Sequence, residues 1–77
     1  MFEKSYYHVL QDYIQSGCKE QLTPEEQEYY NALYAIVGIH RKYGRDQAIN
    51  LLMHEPFNCS RPRAREMYNE AVNLFFL

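Results

Sequence analysis

The apolar residues of this chain recur at helical spacing in four segments, and no segment alternates apolar and polar residues as a strand does. Each segment also has its own cap or breaker, which predicts helices near residues 3–16, 24–43, 45–54 and 61–76. The pattern therefore predicts an all-α fold, a small domain of four helices.

A glycine marks the end of the first helix, and a clear N-terminal capping sequence marks the beginning of the second. Gly17 ends the first, whose predicted inner face consists of Phe2, Tyr6, Val9, Leu10, Tyr13 and Ile14. In LTPEEQ, Thr23 can cap the second helix and Pro24 suits its first position. Its predicted inner stripe is Tyr30, Leu33, Ile36, Val37 and His40, and Gly44 ends it.

In the second half, Pro56 ends a short third helix because it disfavours helical geometry at Glu55, and Ser60 caps the fourth. The stripe of the fourth helix has the cleanest period of the chain: Ala64, Met67, Tyr68, Ala71, Leu74 and Phe75. From the centres of these stripes we predict the most buried positions to be Leu33, Ile36, Val37, Ile49, Leu52, Met67, Ala71 and Leu74.

The length and composition indicate one domain without catalytic chemistry. At 77 residues, all helices must share a single core. No apolar run reaches the twenty or so residues that span a bilayer, so we expect a soluble cytoplasmic protein with no membrane partner. The cysteines and histidines match no zinc spacing, and no nucleophile, carboxylate pair or Gly-rich loop is recognisable. We therefore expect no enzyme, no metal and no cofactor.

Charge is distributed unevenly along the chain. The net charge is −2, yet residues 1–37 carry −4 and residues 38–77 carry +2, and every arginine lies in the second part. Three of these arginines fall within "SRPRAR" at the start of the fourth helix. Such polarity is compatible with a polyanionic partner on one side of the fold.

A helical wheel divides the fourth helix into two flanks. Arg61, Arg65 and Asn69 share one flank, and they are side-chain types that bind base edges and phosphate. Arg63, Glu66 and Glu70 share the other, and replacement of Arg65, Glu66 or Glu70 should leave the fold intact. Alternatively, Arg63 pairs with Glu66 and the arginine cluster is a solvated helix start. As DNA-binding candidates we take Arg61, Arg63, Arg65, Asn69 and, from the third helix, Arg45.

Residues 34–76 contain three further signals: "KYGRDQAINLL", the "S-x-x-x-A-R" that opens the last helix, and "YNEAVNLFF". Together they resemble the N-terminal helix-turn-helix region of small terminase subunits of tailed bacteriophages and prophages. The resemblance implies a helix-turn-helix-like unit over about residues 24–77, formed by the last three helices, with residues 60–73 as recognition helix and residues 47–54 as supporting helix. It also implies truncation before an oligomerisation region.

Functionally, the resemblance implies a DNA-recognition module for viral genome packaging in the host bacterial cytoplasm. The expected partners are double-stranded DNA, the terminase large subunit and, in a full-length protein, further copies of the chain. The alternative is a non-catalytic protein-interaction or oligomerisation module, in which the tyrosine-rich first helices and the terminal "FFL" dock a partner.

Overall fold

The computed structural model describes residues 4–19 and 21–75, which form four α-helices. The helices are α1 (Tyr7–Gln15), α2 (Pro24–Tyr43), α3 (Arg45–Met53) and α4 (Arg61–Phe75). Within these described ranges no strand occurs, so the predicted all-α class is confirmed. None of the helices among these residues is both long and apolar enough to cross a membrane.

The predicted helix bounds hold to within about one residue except at the start of α1. The helix begins at Tyr7 rather than near residue 3, and residues 4–6 lead into it. The Tyr7 backbone N–H donates to the hydroxyl of Ser5 at 3.2 Å, a contact that satisfies one of the free N–H groups of the first turn. The prediction of helix across residues 4–6 is therefore wrong.

At the start of α2 the predicted cap is present in full. Thr23 Oγ1 accepts from the backbone N–H of Glu26 at 3.2 Å, and Glu26 Oε1 accepts from the backbone N–H of Thr23 at 2.8 Å. This reciprocal capping box, with Pro24 as the first helical residue, satisfies donors that the helix cannot bond internally.

Two connections set the positions of the last three helices. Gly44, with φ of 93°, ends α2 and immediately precedes α3, so a single residue in a conformation that favours glycine makes the turn. Residues 54–60 join α3 to α4 and contain a cis Glu55–Pro56 bond. The Cys59 backbone N–H donates to the Leu52 carbonyl at 2.8 Å, which ties the end of this loop to α3.

One hydrophobic core is shared by all four helices. All the positions that the stripes predict as most buried are buried, and α1 contributes Leu10. Ala64 and Ala71 of α4 are completely buried, and such small side chains allow helices to approach closely. The predicted inner faces of α3 and α4, and that of α2 from Leu33 to Val37, are thus confirmed.

The buried faces differ from the predicted stripes in α1 and at the start of α2. Val9 of α1, a predicted inner-face residue, is 37 % exposed. On α2, Tyr29 is completely buried, whereas Tyr30, predicted inside, is only partly so. Neighbouring residues on a helix lie about 100° apart, so the true α2 stripe is centred one residue from the predicted one at this end. Phe2 lies outside the described residues.

Candidate functional site

Three arginines from two helices line one open cleft. Arg45 begins α3, Arg61 begins α4, and Arg65 lies one turn later on α4. The cleft has a volume of about 270 Å³, and its complete lining is Arg45, Asp46, Ile49, Asn50, Arg61 and Arg65. The structure thus brings together three of the five candidate residues, from positions up to twenty residues apart in sequence.

Arg45 is held in place by the core. Its guanidinium lies over the ring of Tyr68, 5.6 Å from the ring centroid, as in a cation–π contact. Tyr68 is 6 % exposed, and its hydroxyl is 2.8 Å from Nδ1 of His40 on α2. The Arg45 side chain is still 55 % exposed, so it rests on a fixed aromatic surface while remaining open to solvent.

The candidate residues of α4 follow one exposed face. Arg61, Arg65 and Asn69 are four residues apart in succession, and all three are exposed. Ala64 and Tyr68, on the adjoining face of the same turns, are buried. The packing of α4 therefore directs a row of two arginines and an asparagine outward, as its helical wheel predicts.

Arg63 lies apart from this row. Its side chain is only 14 % exposed, and its Nη1 is 3.2 Å from Glu66 Oε2 and 3.9 Å from Glu70 Oε2. Its Nη2 donates to the Tyr29 hydroxyl at 2.5 Å. The predicted pairing of Arg63 with Glu66 is therefore present, and Arg63 also contacts Tyr29 and Glu70 instead of lying on the exposed face.

Glu70 is the centre of this network. Its Oε1 accepts from the hydroxyl of the buried Tyr29, and its Oε2 accepts from the hydroxyl of Ser5 at 2.8 Å. Burial, together with the hydrogen bond to Glu70, raises the pKa of Tyr29 to about 12. The Glu70 side chain is only 17 % exposed and accepts hydrogen bonds from two other segments, so it does not lie on a solvated flank of α4. Glu66, at 67 % exposure, does fit that description.

The charge of the cleft suits an anion. Three guanidinium groups face one carboxylate, that of Asp46, whose side chain is 91 % exposed and 3.7 Å from Arg45 Nη1. At that exposure the ion pair is screened by water and contributes little. The cleft consequently keeps a positive charge, and Asn50 adds a neutral side chain that can donate hydrogen bonds.

Cysteine and histidine side chains lie apart from the cleft. Cys59 is buried with its Sγ 3.8 Å from Met67 Sδ, and Cys18 is exposed elsewhere. His54 Nδ1 is 2.7 Å from the Asn50 carbonyl oxygen, and His40 is engaged with Tyr68. Across residues 4–19 and 21–75, no group of three or more His, Cys, Asp or Glu side chains could hold a metal ion.

Sequence reasoning missed Asn50 and Asp46 as cleft residues, and it missed Tyr68 as the support for Arg45. A signal for the first two was available, because Asp46, Ile49 and Asn50 occupy one face of α3 at i, i+3 and i+4. The contact of Arg45 with Tyr68 had no such signal, since it joins residues 23 positions apart on different helices.

No family model matches the chain, and neither a curated protein nor a solved structure matches it.

Proposed function

We propose that this chain is a non-catalytic DNA-recognition module that binds through the N-terminal half of α4 and the start of α3. The observation that carries the proposal is the convergence of Arg45, Arg61 and Arg65 on one cleft. A chain with a net charge of −2 that gathers three of its arginines at one place has a local surface suited to a polyanion.

The exposed row on α4 supports base recognition as well as charge attraction. Arginine can donate two hydrogen bonds to the edge of guanine, and asparagine can pair with adenine in the same way. Arg65 and Asn69 are one turn apart on a face that nothing else in the described chain requires for packing. In this proposal Arg65 and Asn69 contact base edges in the major groove.

The finer proposal is a small terminase-like protein that binds viral DNA for genome packaging. It rests on the resemblance of residues 34–76 to the helix-turn-helix region of that family. α4 then takes the place of the recognition helix and α3 that of the supporting helix, with residues 54–60 as a longer connection than the simplest motif has. The large terminase subunit and further copies of the chain are the partners that this proposal implies, in the host bacterial cytoplasm.

Titration of labelled duplex DNA at two salt concentrations tests the general proposal. Binding should weaken as salt rises, with a slope of about −0.9 per phosphate neutralised. A single copy should bind weakly, so the measurement belongs at low salt, and a tandem fusion of two copies should bind more tightly through its higher effective concentration. Absence of binding by both proteins at low salt would remove the proposal.

A second candidate function, protein interaction, is favoured by a different surface. Tyr34 is 60 % exposed and lies 5.7 Å from Phe75 and 6.3 Å from Tyr30, measured between ring centroids. An exposed aromatic cluster of this kind is common at protein interfaces. Phe76 and Leu77, which belong to the terminal "FFL" that the sequence predicts as a docking segment, lie outside the described residues. Sedimentation of the parent and of Tyr34→Ser would separate this function from DNA binding.

A further inference from the structure

The cleft between the starts of α3 and α4 differs from the exposed row on α4 in how it presents charge. Its arginines, Arg45, Arg61 and Arg65, come from two helices and line a concave space, whereas Asn69 lies outside that lining on the convex surface of α4. A concave space with positive walls on more than one side suits a compact anion that accepts hydrogen bonds in several directions.

From this geometry we infer that the cleft binds a single phosphate group, contacted by Arg45 and Arg61 from opposite helices. The inference deepens the proposed function and rests on it, because it takes the phosphate to be one of a DNA backbone. The cleft would then fix the position of the strand. Arg65, which belongs to both the cleft lining and the exposed row, would contact bases together with Asn69.

Arg45 is prepared for this role by its contact with Tyr68. An arginine binds a planar or tetrahedral oxyanion more tightly when its guanidinium is already oriented, because less side-chain entropy is lost on binding. The Tyr68 ring holds the Arg45 guanidinium from one face, and the hydroxyl of Tyr68 is itself held by His40. Arg45 thus has an orientation before the phosphate arrives.

The backbone adds to the attraction. The first-turn N–H groups of a helix have no partner within the helix, and they carry the positive end of its dipole. The N-cap of α3 is Gly44, which has no side chain that could cap these groups, and Arg45 and Asp46 follow it directly. The start of α3 therefore places the positive end of its dipole next to Arg45.

Asp46 opposes the binding of a phosphate, so removal of its charge should raise the phosphate affinity. The Asp46 carboxylate lines the same cleft and faces Arg45. Replacement of Asp46 by Asn removes a negative charge without a change in size, so the variant should bind phosphate more tightly. A role for this face that did not involve an anion would give no such gain.

The experiment compares Arg45→Gln, Arg61→Gln and Asp46→Asn with a matched control, Arg41→Gln. Arg41 is an exposed arginine of α2 outside the cleft lining, so its replacement removes the same charge elsewhere. Each protein is titrated with duplex DNA at about 50 and about 200 mM salt. One phosphate contact accounts for about a 3.5-fold loss of affinity between the two salt concentrations. That loss should be smaller than the parent's in each cleft arginine variant, and smaller by about that factor when both arginines are replaced. It should stay unchanged in Arg41→Gln.

A second arm identifies the source of the phosphate. NMR signals of the arginine Nε–Hε groups are followed in the parent during titration with inorganic pyrophosphate and, separately, with the duplex. Saturable shifts of Arg45 and Arg61 with both ligands support the inference. Shifts with pyrophosphate alone support a phosphate site but remove the DNA function. DNA binding in which both cleft arginine variants match Arg41→Gln overturns the inference and leaves the DNA function standing, and no binding of either ligand overturns both.

Discussion

The guanidinium of Arg45, the first residue of α3, lies over the ring of Tyr68, a core residue of α4. This contact joins the packing of two helices to the charged cleft between them. Because Tyr68 also meets His40 of α2, the orientation of an exposed arginine depends on three helices at once. Substitutions in the core at this point should therefore affect the cleft as well as stability.

Two replacements of Tyr68 separate its ring from its hydroxyl. Tyr68→Phe keeps the aromatic face under Arg45 and loses only the hydrogen bond to His40, so the free energy of unfolding should fall by about 1 kcal/mol with little change in DNA affinity. Tyr68→Leu removes the ring and should weaken DNA binding as well. Denaturant unfolding and the salt-resolved titration measure both effects. Equal DNA affinity for the two variants would show that the ring does not position Arg45.

Substitutions on the arginine flank and on the glutamate flank of α4 should have different effects on DNA affinity, so each is a control for the other. Arg65→Ala should weaken DNA binding by about 1–3 kcal/mol and relax sequence preference at one position if its guanidinium contacts a base edge. A smaller and uniform loss would indicate contact with phosphate only. Glu66→Gln should leave affinity unchanged or slightly higher, because it removes an exposed negative charge. If Arg65→Ala binds as the parent does while Tyr34→Ser abolishes self-association, the interaction module is the better description.

Replacement of Glu70 should lower the free energy of unfolding, whereas replacement of a residue in the exposed row of α4 should not. Glu70→Ala removes the acceptor of the Tyr29 hydroxyl and a carboxylate that pairs with Arg63, and the loss of such a part-buried acceptor costs about 1–3 kcal/mol. Arg65→Ala, on the exposed face, should change the free energy of unfolding by less than about 0.5 kcal/mol. Urea unfolding followed by circular dichroism measures both. A Glu70 variant as stable as the parent would mean that water replaces the carboxylate.

The raised pKa of Tyr29 implies a loss of stability at alkaline pH. Its folded pKa of about 12 exceeds the ordinary value of about 10, so the fold favours the protonated phenol. That contribution is complete below about pH 10 and is lost as the pH rises from about 10 to about 12. With allowance for screening by solvent, it amounts to about 1–2 kcal/mol.

Tyr29→Phe is the comparison that isolates this effect. The variant should be less stable at neutral pH and should lose stability less steeply than the parent above about pH 10. Desolvation also raises the pKa of Tyr13 and Tyr30, but both tyrosines are present in the two proteins, so their contribution cancels. Parallel curves of unfolding free energy against pH would contradict the assignment to Tyr29.

The fold was predictable where local signals agreed with one another. Thr23, Pro24 and Gly44 fix the ends of α2 by local backbone chemistry, and the spacing of Met67, Ala71 and Leu74 fixes the inner face of α4. The choice between Tyr29 and Tyr30 was not predictable in this way. Both residues are aromatic and adjacent, and burial of Tyr29 depends on the distant partners Glu70 and Arg63.

The sequence predicts the exposed face of α4 that carries candidate residues, but not the cleft that α4 forms with α3. The wheel of α4 placed Arg61, Arg65 and Asn69 together because they are four residues apart on one helix. Whether Arg45 lies beside them depends on the packing of α3 against α4, and the spacing of residues along one helix does not predict that packing. The same limit applied to Arg63, whose withdrawal from solvent depends on Tyr29 across the helix interface.

The single buried residue of α1, Leu10, has a consequence for the dynamics of the fold. A helix that buries one side chain completely should detach from the other three at a small cost in free energy, well before global unfolding. Native-state hydrogen exchange should then show the amides of Tyr7–Gln15 exchanging through local opening, while those of α2 and α4 exchange only when the whole chain unfolds. The two helices that carry the arginine cleft would remain assembled throughout that opening, so α1 behaves as a separable attachment to a three-helix unit.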